Sequence, residues 1–421
     1  SAEELQPGEW GRWRNFYVIC HYEEKQVYQC LDDLRRNPDH SFQQQSTRYA
    51  ARVKARPTLR VNGSPAAIAA YRLAPVYAEA CKVAGTGSLR SSAGGYYFVW
   101  GWDNLMGGHE LTHWGEIQAA RDMLDFFATH PAEGGCVPHR YDNDLKPLQV
   151  TGYDFISQLY ISLLYQFTCE TFDRETLLRH YPYARKIFLE LAARVNPQGF
   201  YPSLGMYPDA PEKLGRTSAS LVAYENGFWY CTCRMIEILA QLAGEPQVAS
   251  HAEALARLME RNFLDTFYDT KTGFIVDALT GPQLQPDGTY PRYSLFPLHN
   301  AFGAWLLRPV QKQISGFIRR ELVRPDGIRM VPQWDAHIGT ETVTRDCWFL
   351  HFDLYCLKAF RRAGDGAAIE NWLKLADAYF RQRGVIPELQ MMDPQGGSPP
   401  KWQDLTGQIW QLFAMSGWTR G

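Results

Sequence analysis

The chain has 421 residues, of which 45% are hydrophobic and 21% charged, and these are the proportions of an ordinary globular protein. Lysine and arginine number 43 against 45 aspartate and glutamate, so the chain has no basic field that would hold a nucleic acid backbone. No uninterrupted apolar run approaches the roughly 20 residues of a membrane helix, which argues against a membrane-spanning protein.

Residues 1–60 differ from the rest of the chain. The segment 12–20 alternates polar and apolar residues as a strand does, and 23–36 and 43–54 have the pattern of polar helices. We interpret 1–60 as a linker segment, or as the remnant of an N-terminal β-domain. The opening at Ser1 lacks a hydrophobic signal core, which favours a cytoplasmic protein. Since Ser1 is not a methionine, a signal peptide removed from a longer chain stays open as an alternative.

From residue 61 onward the sequence is a succession of amphipathic helix patterns separated by Gly- and Pro-rich loops. A helix is predicted over 66–84, and Ile117, Ala120, Leu124 and Phe127 have the spacing of another. Further helices are predicted near 154–168, 174–195, 219–243, 247–265, 297–307, 310–323, 343–364, 367–384 and 403–415. One small β-hairpin is predicted within 267–290. The pattern therefore predicts an all-α protein of about eleven helices, close to six pairs.

The segment His109-Glu110-Leu111-Thr112-His113 matches H-E-x-x-H, in which two histidines on one helix face bind zinc and the glutamate activates water. Gly107-Gly108 stand directly before it, so we expect the helix to begin only there. Ala119 occupies the position of the third histidine of the longer pattern, whereas Glu133 is available as a carboxylate ligand. A zinc metallopeptidase is therefore kept as an alternative, and the leading interpretation includes no metal or cofactor.

Three other segments carry residues suited to sugar chemistry, in a chain whose aromatic content is 14%. The first runs from Tyr96 to Gly108 and places Trp100 and Trp102 beside Asp103. Aromatic rings stack on the C–H faces of sugars, and a carboxylate accepts hydrogen bonds from neighbouring hydroxyls. The alternative is that Asp103 caps a helix and both tryptophans belong to the core.

The second segment offers two candidates for a general acid. Asp209 lies in a proline-bounded loop, and Glu225 lies among aromatic neighbours, including Trp229, early in a long predicted helix. Burial there is expected to raise the pKa of Glu225 and keep it protonated, ready to donate a proton to a leaving oxygen. The alternative is a structural glutamate bonded to backbone or to Arg234.

The third segment contains Glu388, an acid that follows an apolar run and a proline and precedes a Gly/Pro-rich loop with Trp402 and Gln403. Such a carboxylate is well placed to act as a base on water, and the alternative is a surface glutamate before a turn.

In this order the three segments resemble glycoside hydrolases of the trehalase, processing α-glucosidase, glucoamylase and glycogen-debranching group, over roughly 60–421. The resemblance implies an (α/α)6 toroid of about six helical hairpins, with 61–421 as the catalytic barrel. It also implies that Asp103 binds hydroxyls of the innermost sugar and that Glu388 is the general base. The acid then maps onto Glu225-Asn226 as in processing α-glucosidases, with Glu in place of Asp, or nearer Asp209 as in debranching enzymes.

The leading hypothesis is an inverting, exo-acting glycoside hydrolase, α-glucosidase-like, acting on an oligosaccharide or small glycoside. Its catalytic residues are Glu388 with Glu225 or Asp209. Its substrate-binding residues are Trp100, Trp102, Asp103, Asp154 at the start of a predicted helix, Trp229, Trp402 and Gln403. A sugar epimerase on a similar helical barrel, using His299 or His351 for proton transfer, is the main alternative.

Overall fold

The computed structural model describes residues 81–83, 86–90, 98–113, 115–148, 154–205, 216–286, 305–324, 327–328, 347–349, 356, 359–367, 370, 374 and 389–391, together with isolated positions between 32 and 54. The chain divides into two compact units, Ser1–Pro57 and Thr58–Gly421. In the first unit, the described positions are exposed and, apart from Asn37, helical, in agreement with the polar helices predicted there. The strand predicted over 12–20 lies outside the described residues.

In the second unit, six long helices form three successive hairpins. The helices are α1 (Gly101–His113), α2 (Ile117–Thr129), α3 (Asp154–Thr171), α4 (Arg174–Ala192), α5 (Ala223–Ala243) and α6 (Pro246–Phe267). Each odd-numbered helix packs against the even-numbered helix that follows it. Five of the predicted helices, from the one near Ile117 to the one at 247–265, are found at their predicted places. None of the described helices combines the length and the apolar character needed to cross a lipid bilayer.

The odd-numbered helices form an inner row, because α1 also packs against α3 and α3 against α5. The burial of side chains agrees with this arrangement. On α3 every residue from Phe155 to Leu164 is buried, as expected for a helix with neighbours on all sides. On α2 the buried residues are confined to one face, which includes Ala120, Leu124 and Phe127.

The start of α1 corrects the expectation that this helix begins only after Gly108. The helix begins at Gly101 and continues through Gly107 and Gly108, both buried. A Cβ atom at Gly108 would lie 2.7 Å from the Sδ of Met123 and 2.8 Å from a Cδ of Leu163. Glycine therefore allows α1 to approach α2 and α3 closely, and this packing offsets its low intrinsic helix propensity.

The strands in the described part of the chain are short, and each of their pairings is antiparallel. One sheet joins β1 (Val99–Trp100), β2 (Arg140–Tyr141) and β3 (Pro147–Leu148), and a second joins β4 (Leu221–Val222), β7 (Ala278–Thr280) and β8 (Gln285–Pro286). The predicted hairpin is present as β5 (Tyr268–Asp269) and β6 (Phe274–Ile275). Two further ladders join β9 (Val323–Arg324) with β10 (Gly327–Ile328) and β11 (Cys347–Phe349) with β12 (Leu389–Met391).

The chain after β8 differs from its predicted helices. The helix expected over 310–323 is the short α7 (Gln311–Phe317), which continues as one π-helical turn, Ile318–Leu322. The helix expected over 343–364 is wrong at its start, because Cys347–Phe349 pairs as a strand with residues some forty positions later. A short apolar run has no period that separates strand from buried helix, so only the distant partner decides between them. The predicted helix 403–415 lies outside the described residues.

Candidate active site

The N-terminal ends of α1, α3 and α5 meet through a chain of aromatic rings. Trp102 stacks on Phe155 with ring centroids 5.2 Å apart, and Phe155 makes an edge contact with Tyr224 at 6.1 Å. Each ring is next in sequence to a predicted site acid, namely Asp103, Asp154 and Glu225. The fold therefore gathers acids from three separate segments at one end of the inner helices.

Asp103 lies in the first turn of α1 and is 7% exposed, so it does not occupy the capping position that the alternative interpretation gave it. Burial raises the pKa of Cys81 to about 12, and the negative charge of Asp103 adds to that shift, which places the two side chains near each other. The adjacent Asn104 binds both the N–H and the carbonyl of Leu89. The segment before α1 is thus tied to the helix that carries Asp103.

Trp100 is partly exposed and lies on β1, where the register pairs it with Arg140 of β2. The guanidinium carbon of Arg140 lies 5.1 Å from the Trp100 ring centroid and 4.8 Å from that of Phe98. The edge of His139 contacts Trp100 as well, at 5.0 Å between centroids. Burial, with a smaller contribution from Arg140, lowers the pKa of His139 to about 4, so this ring is neutral at pH 7.

Asp154 is the first residue of α3, and its side chain is 22% exposed. Its Oδ2 accepts hydrogen bonds from Arg194 at 2.9 Å and from the hydroxyl of Tyr201 at 2.6 Å. The Arg194 guanidinium also lies 5.0 Å from the centroid of the Tyr201 ring. Burial raises the pKa of Tyr201, and the negative charge of Asp154 adds to the effect, so the phenol remains a proton donor.

Glu225, in the first turn of α5, has no exposed surface. Its Oε2 accepts a hydrogen bond from Ser203, and its Oε1 lies 3.4 Å from the hydroxyl of Tyr224. The next residue, Asn226, binds the backbone N–H of Tyr201 at 2.7 Å and its carbonyl at 3.1 Å. Two neighbouring side chains of α5 therefore fasten the segment that begins at Tyr201. Arg234, the partner considered for Glu225, instead binds Glu237 at 2.7 Å.

An ion pair between Arg216 and Asp277 lies beside this cluster, and neither side chain is exposed. Gly205 has a positive φ of 79°, and a Cβ there would lie 3.1 Å from Nη1 of Arg216 and 3.3 Å from the Tyr224 hydroxyl. Gly205 and Arg216 flank the stretch 206–215, so both described ends of that stretch are held at the start of α5. Asp209 itself lies outside the described residues.

Trp229 is fully buried and packs as a core residue. Its ring stacks on Phe188 at 5.6 Å and lies 5.9 Å from that of Tyr201. Trp229 packs against Tyr201 inside the core and has no exposed surface that could bind a sugar. The remaining predicted site residues, Glu388, Trp402 and Gln403, lie outside the described residues, although Leu389 begins β12.

The two histidines of the H-E-x-x-H segment have partners on α3. The Nδ1 of His109 lies 2.5 Å from Oε1 of Gln166, and Gln166 donates to the carbonyl of His109 at 2.8 Å. His113 faces Glu170, with Nδ1 and Oε1 3.8 Å apart. In the part of the chain that the structure describes, no three His, Cys, Asp or Glu side chains are arranged to hold a metal ion.

Sequence reasoning missed Ser203, Arg216, Asp277 and Arg140. Their relevance comes from contacts across the fold, and Arg216 and Asp277 are separated by 61 residues. The sequence indicated only that 207–216 is a proline-bounded loop that carries the candidate acid Asp209.

No protein-family model matches the chain, and neither does the sequence of any curated protein. The fold does match solved structures. A rhamnosidase from Klebsiella oxytoca, with rhamnose bound, has a TM-score of 0.61 at 15% identity over 86% of this chain and 65% of its own. A GH63 mannosylglycerate hydrolase from Thermus thermophilus, in complex with glucose, has a TM-score of 0.60 at 12% identity over 83% of this chain and 99% of its own.

A GH78 rhamnosidase from Bacillus sp. GL1 is similar at a TM-score of 0.59 and 13% identity, over 84% of this chain and 34% of its own. The chain thus spans about two thirds of the Klebsiella rhamnosidase and about one third of the Bacillus one. At these identities the likeness shows a shared fold, and these three neighbours are glycosidases. This agrees with the resemblance to helical glycoside hydrolases, while the narrower group of trehalases and glucoamylases stays a prediction.

Proposed function

We propose that the chain is a glycoside hydrolase whose substrate binds at the N-terminal ends of α1, α3 and α5. One observation carries this proposal. The aromatic chain Trp102, Phe155 and Tyr224 joins the segment of Asp103 to that of Glu225, in a fold shared with glycosidases. We extend the three described hairpins to an (α/α)6 ring over 61–421, in which Glu388 reaches the same end.

The proposed reaction is an inverting hydrolysis. One carboxylic acid gives its proton to the glycosidic oxygen as that bond breaks. A carboxylate on the other face of the sugar takes a proton from the water that attacks the anomeric carbon. Such a pair is held about 6.5–9.5 Å apart, so that the water fits between base and sugar. Glu388 is assigned as the base, and the acid comes from the segment 201–225.

The contacts of Glu225 favour Asp209 as the proton donor. A general acid must come within hydrogen-bond distance of the leaving oxygen. Glu225 has no exposed surface, and its two oxygens face the hydroxyls of Ser203 and Tyr224. We therefore assign Glu225 as a positioning residue that holds the segment leading to Asp209, with Glu225 itself as the second candidate for the acid.

In the proposed pocket, Asp103 binds sugar hydroxyls, and Trp100, Asp154, Trp402 and Gln403 complete the walls. Trp102, which is 4% exposed, supports the site from the core. Trp229 contributes indirectly, because it packs against Tyr201, which binds Asp154. The substrate is an oligosaccharide or small glycoside cleaved from its end, with α-glucosides as the first candidates. The structural neighbours act on different glycosides, so the fold alone does not select the sugar.

A panel of aryl glycosides and disaccharides, in both anomeric forms, tests the proposal with wild type and Glu388→Gln. We expect at least one substrate to be cleaved, Glu388→Gln to lose at least a thousandfold in kcat, and NMR to show the opposite anomer as first product. Glu253→Gln is the matched control, since this surface glutamate pairs only with Arg257 among the described residues. Conversion of a sugar without a change of mass would support the epimerase instead, and an unimpaired Glu388→Gln would remove Glu388 as the base.

A further inference from the structure

Arg140 is a cation without a counter-ion among the residues that the structure describes. Its side chain is partly buried, and it contacts the faces of Trp100 and Phe98. Within the described chain, no carboxylate lies within ion-pair distance of it, and its Nε is buried without an acceptor. Arg174 and Arg261, which have no ion pair among the described residues either, are exposed and therefore hydrated.

Holding the partly buried charge of Arg140 without an opposite charge costs free energy, and a bound anion would remove that cost. Removing part of the hydration of a charge is unfavourable when no opposite charge replaces the lost water. Cation–π contacts with two rings offset part of this cost, but they leave the buried Nε–H without an acceptor among the described residues. A buried polar atom that lacks a partner in this way is typical of a site that is completed by a ligand.

Arg140 also lies at the proposed active site. The register of β1 and β2 places it beside Trp100, one residue before α1 begins. The N–H of Gly101 binds the carbonyl of His139 at 2.9 Å, so β2 is fixed to the first residue of α1. A Cβ at Gly101 would lie 2.6 Å from Cγ2 of Ile156, which shows that α3 begins at the same place.

The geometry of the guanidinium selects the chemistry of the ligand. The Phe98 and Trp100 rings, inclined at 70° to each other, lie beside the guanidinium and offer it no conventional hydrogen-bond acceptor, so its donors remain for solvent or a ligand. A planar, two-pronged acceptor matches those donors best, and in sugar chemistry this acceptor is a carboxylate. A neutral hydroxyl would accept one hydrogen bond and leave the charge without compensation.

We propose that Arg140 forms a carboxylate subsite, and that the substrate is an acidic glycoside. The carboxylate belongs either to the sugar ring, as in a uronic acid, or to the group attached to the sugar. This inference rests on the proposed function for the hydrolysis of the ligand, but the binding step can be measured without turnover.

Two matched pairs distinguish the sources of the carboxylate. Nitrophenyl glycosides of a hexuronic acid and of the corresponding hexose test the ring, and 4-carboxyphenyl and phenyl glycosides of that hexose test the attached group. Calorimetric titrations with glucuronate, galacturonate and mannuronate, each against its neutral hexose, measure binding alone. Wild type is expected to prefer the acidic member of at least one pair by tenfold or more, in kcat/KM or in Kd.

Arg140→Gln is expected to reduce that preference to within twofold, and Arg140→Lys, which keeps the charge but not the planar donors, to retain part of it. Arg261→Gln is the control on an exposed arginine, and melting temperatures establish that each variant is folded. Equal binding of the acidic and neutral members by wild type, or a preference that survives in Arg140→Gln, would overturn the subsite. A protein that binds uronates through Arg140 but hydrolyses no glycoside would contradict only the proposed function.

Discussion

Arg216 and Asp277 form an ion pair in which neither side chain has any exposed surface, although 61 residues separate them in the chain. Asp277 directly precedes β7. This strand pairs with β4, whose last residue directly precedes the first residue of α5. The pair therefore joins the end of the segment that contains Asp209 to the sheet of β4 and β7, which directly precedes α5.

We expect Arg216→Met to lower the free energy of unfolding by about 3–5 kcal/mol, because it removes a cation that neutralises the buried carboxylate of Asp277. Urea unfolding measures the change. The double variant Arg216→Met/Asp277→Leu is the control, and it should regain part of the loss, since it removes the buried carboxylate together with the cation. A single variant within about 1 kcal/mol of wild type would contradict the enclosed pair.

The roles assigned to Asp209 and Glu225 predict different dependences on the leaving group. A proton donor matters little when the leaving group is already a weak base. Asp209→Asn should therefore keep near-normal kcat on dinitrophenyl glycosides and lose it on alkyl glycosides. Glu225→Gln should lose activity by a similar factor on both, because it displaces the loop rather than removing the proton. The reverse pattern would make Glu225 the acid.

Asp173 caps α4, and its pKa is lowered to about 2 chiefly by the hydrogen bonds from the hydroxyl and N–H of Thr176. A lowered pKa in the folded state stabilises the fold above about pH 4, and this contribution disappears as the pH falls through 2. Asp173→Ala should cost about 1 kcal/mol at pH 7. Asp173→Asn keeps an acceptor and should cost less. Unfolding curves at pH 7 and pH 2 test this, and an equal cost at both values would contradict it.

His139 should also make the stability of the fold depend on pH, in the range between about pH 4 and pH 6.5. Its pKa of about 4 in the folded protein lies below the ordinary value of 6.5, chiefly because of burial. Between these values the unfolded chain binds the proton and the folded chain does not. The free energy of unfolding therefore rises with pH up to about 6.5, by about 1–3 kcal/mol in total, and is level above it. Comparison with His139→Gln isolates the effect, and an NMR titration of His139 near pH 6.5 would contradict it.

Chelation should leave catalysis unchanged. The Nδ1 atom of His109 contacts Gln166 and that of His113 faces Glu170, so both histidines of the H-E-x-x-H segment have partners within the fold. We expect the glycosidase activity to survive dialysis against EDTA and to gain nothing from added zinc. Activity that falls on dialysis and returns with zinc would support the metal alternative.

Five of the six helices in the three hairpins were predictable, because apolar residues recur along the sequence with a period near 3.6, as Ala120, Leu124 and Phe127 illustrate. The start of α1 was not predictable. A glycine is favoured at position 108 because Met123 and Leu163, which are distant in sequence, leave no room for a Cβ atom there. The same holds for Cys347–Phe349, whose strand partner is remote. Local pattern identifies elements, but contacts between elements decide their ends.

The candidate site was likewise predictable from the sequence only in part. Aromatic and acidic residues marked the segments of Trp102 and Glu225, and the structure brings these segments together. Their partners were not predictable, because Ser203 and Tyr201 reach Glu225 and Asp154 only through the packing of α3 against α5. The burial of Glu225 was expected, whereas the hydroxyls that face both of its oxygens were not.

The shared orientation of α1, α3 and α5 has an electrostatic consequence. Peptide dipoles align along a helix and leave roughly half a positive charge at its N-terminus. Asp103, Asp154 and Glu225 all lie in these first turns. Three such positive ends converge where the acids gather, so the backbone itself offsets part of their mutual repulsion. The same field would attract an anionic ligand before any side chain touches it.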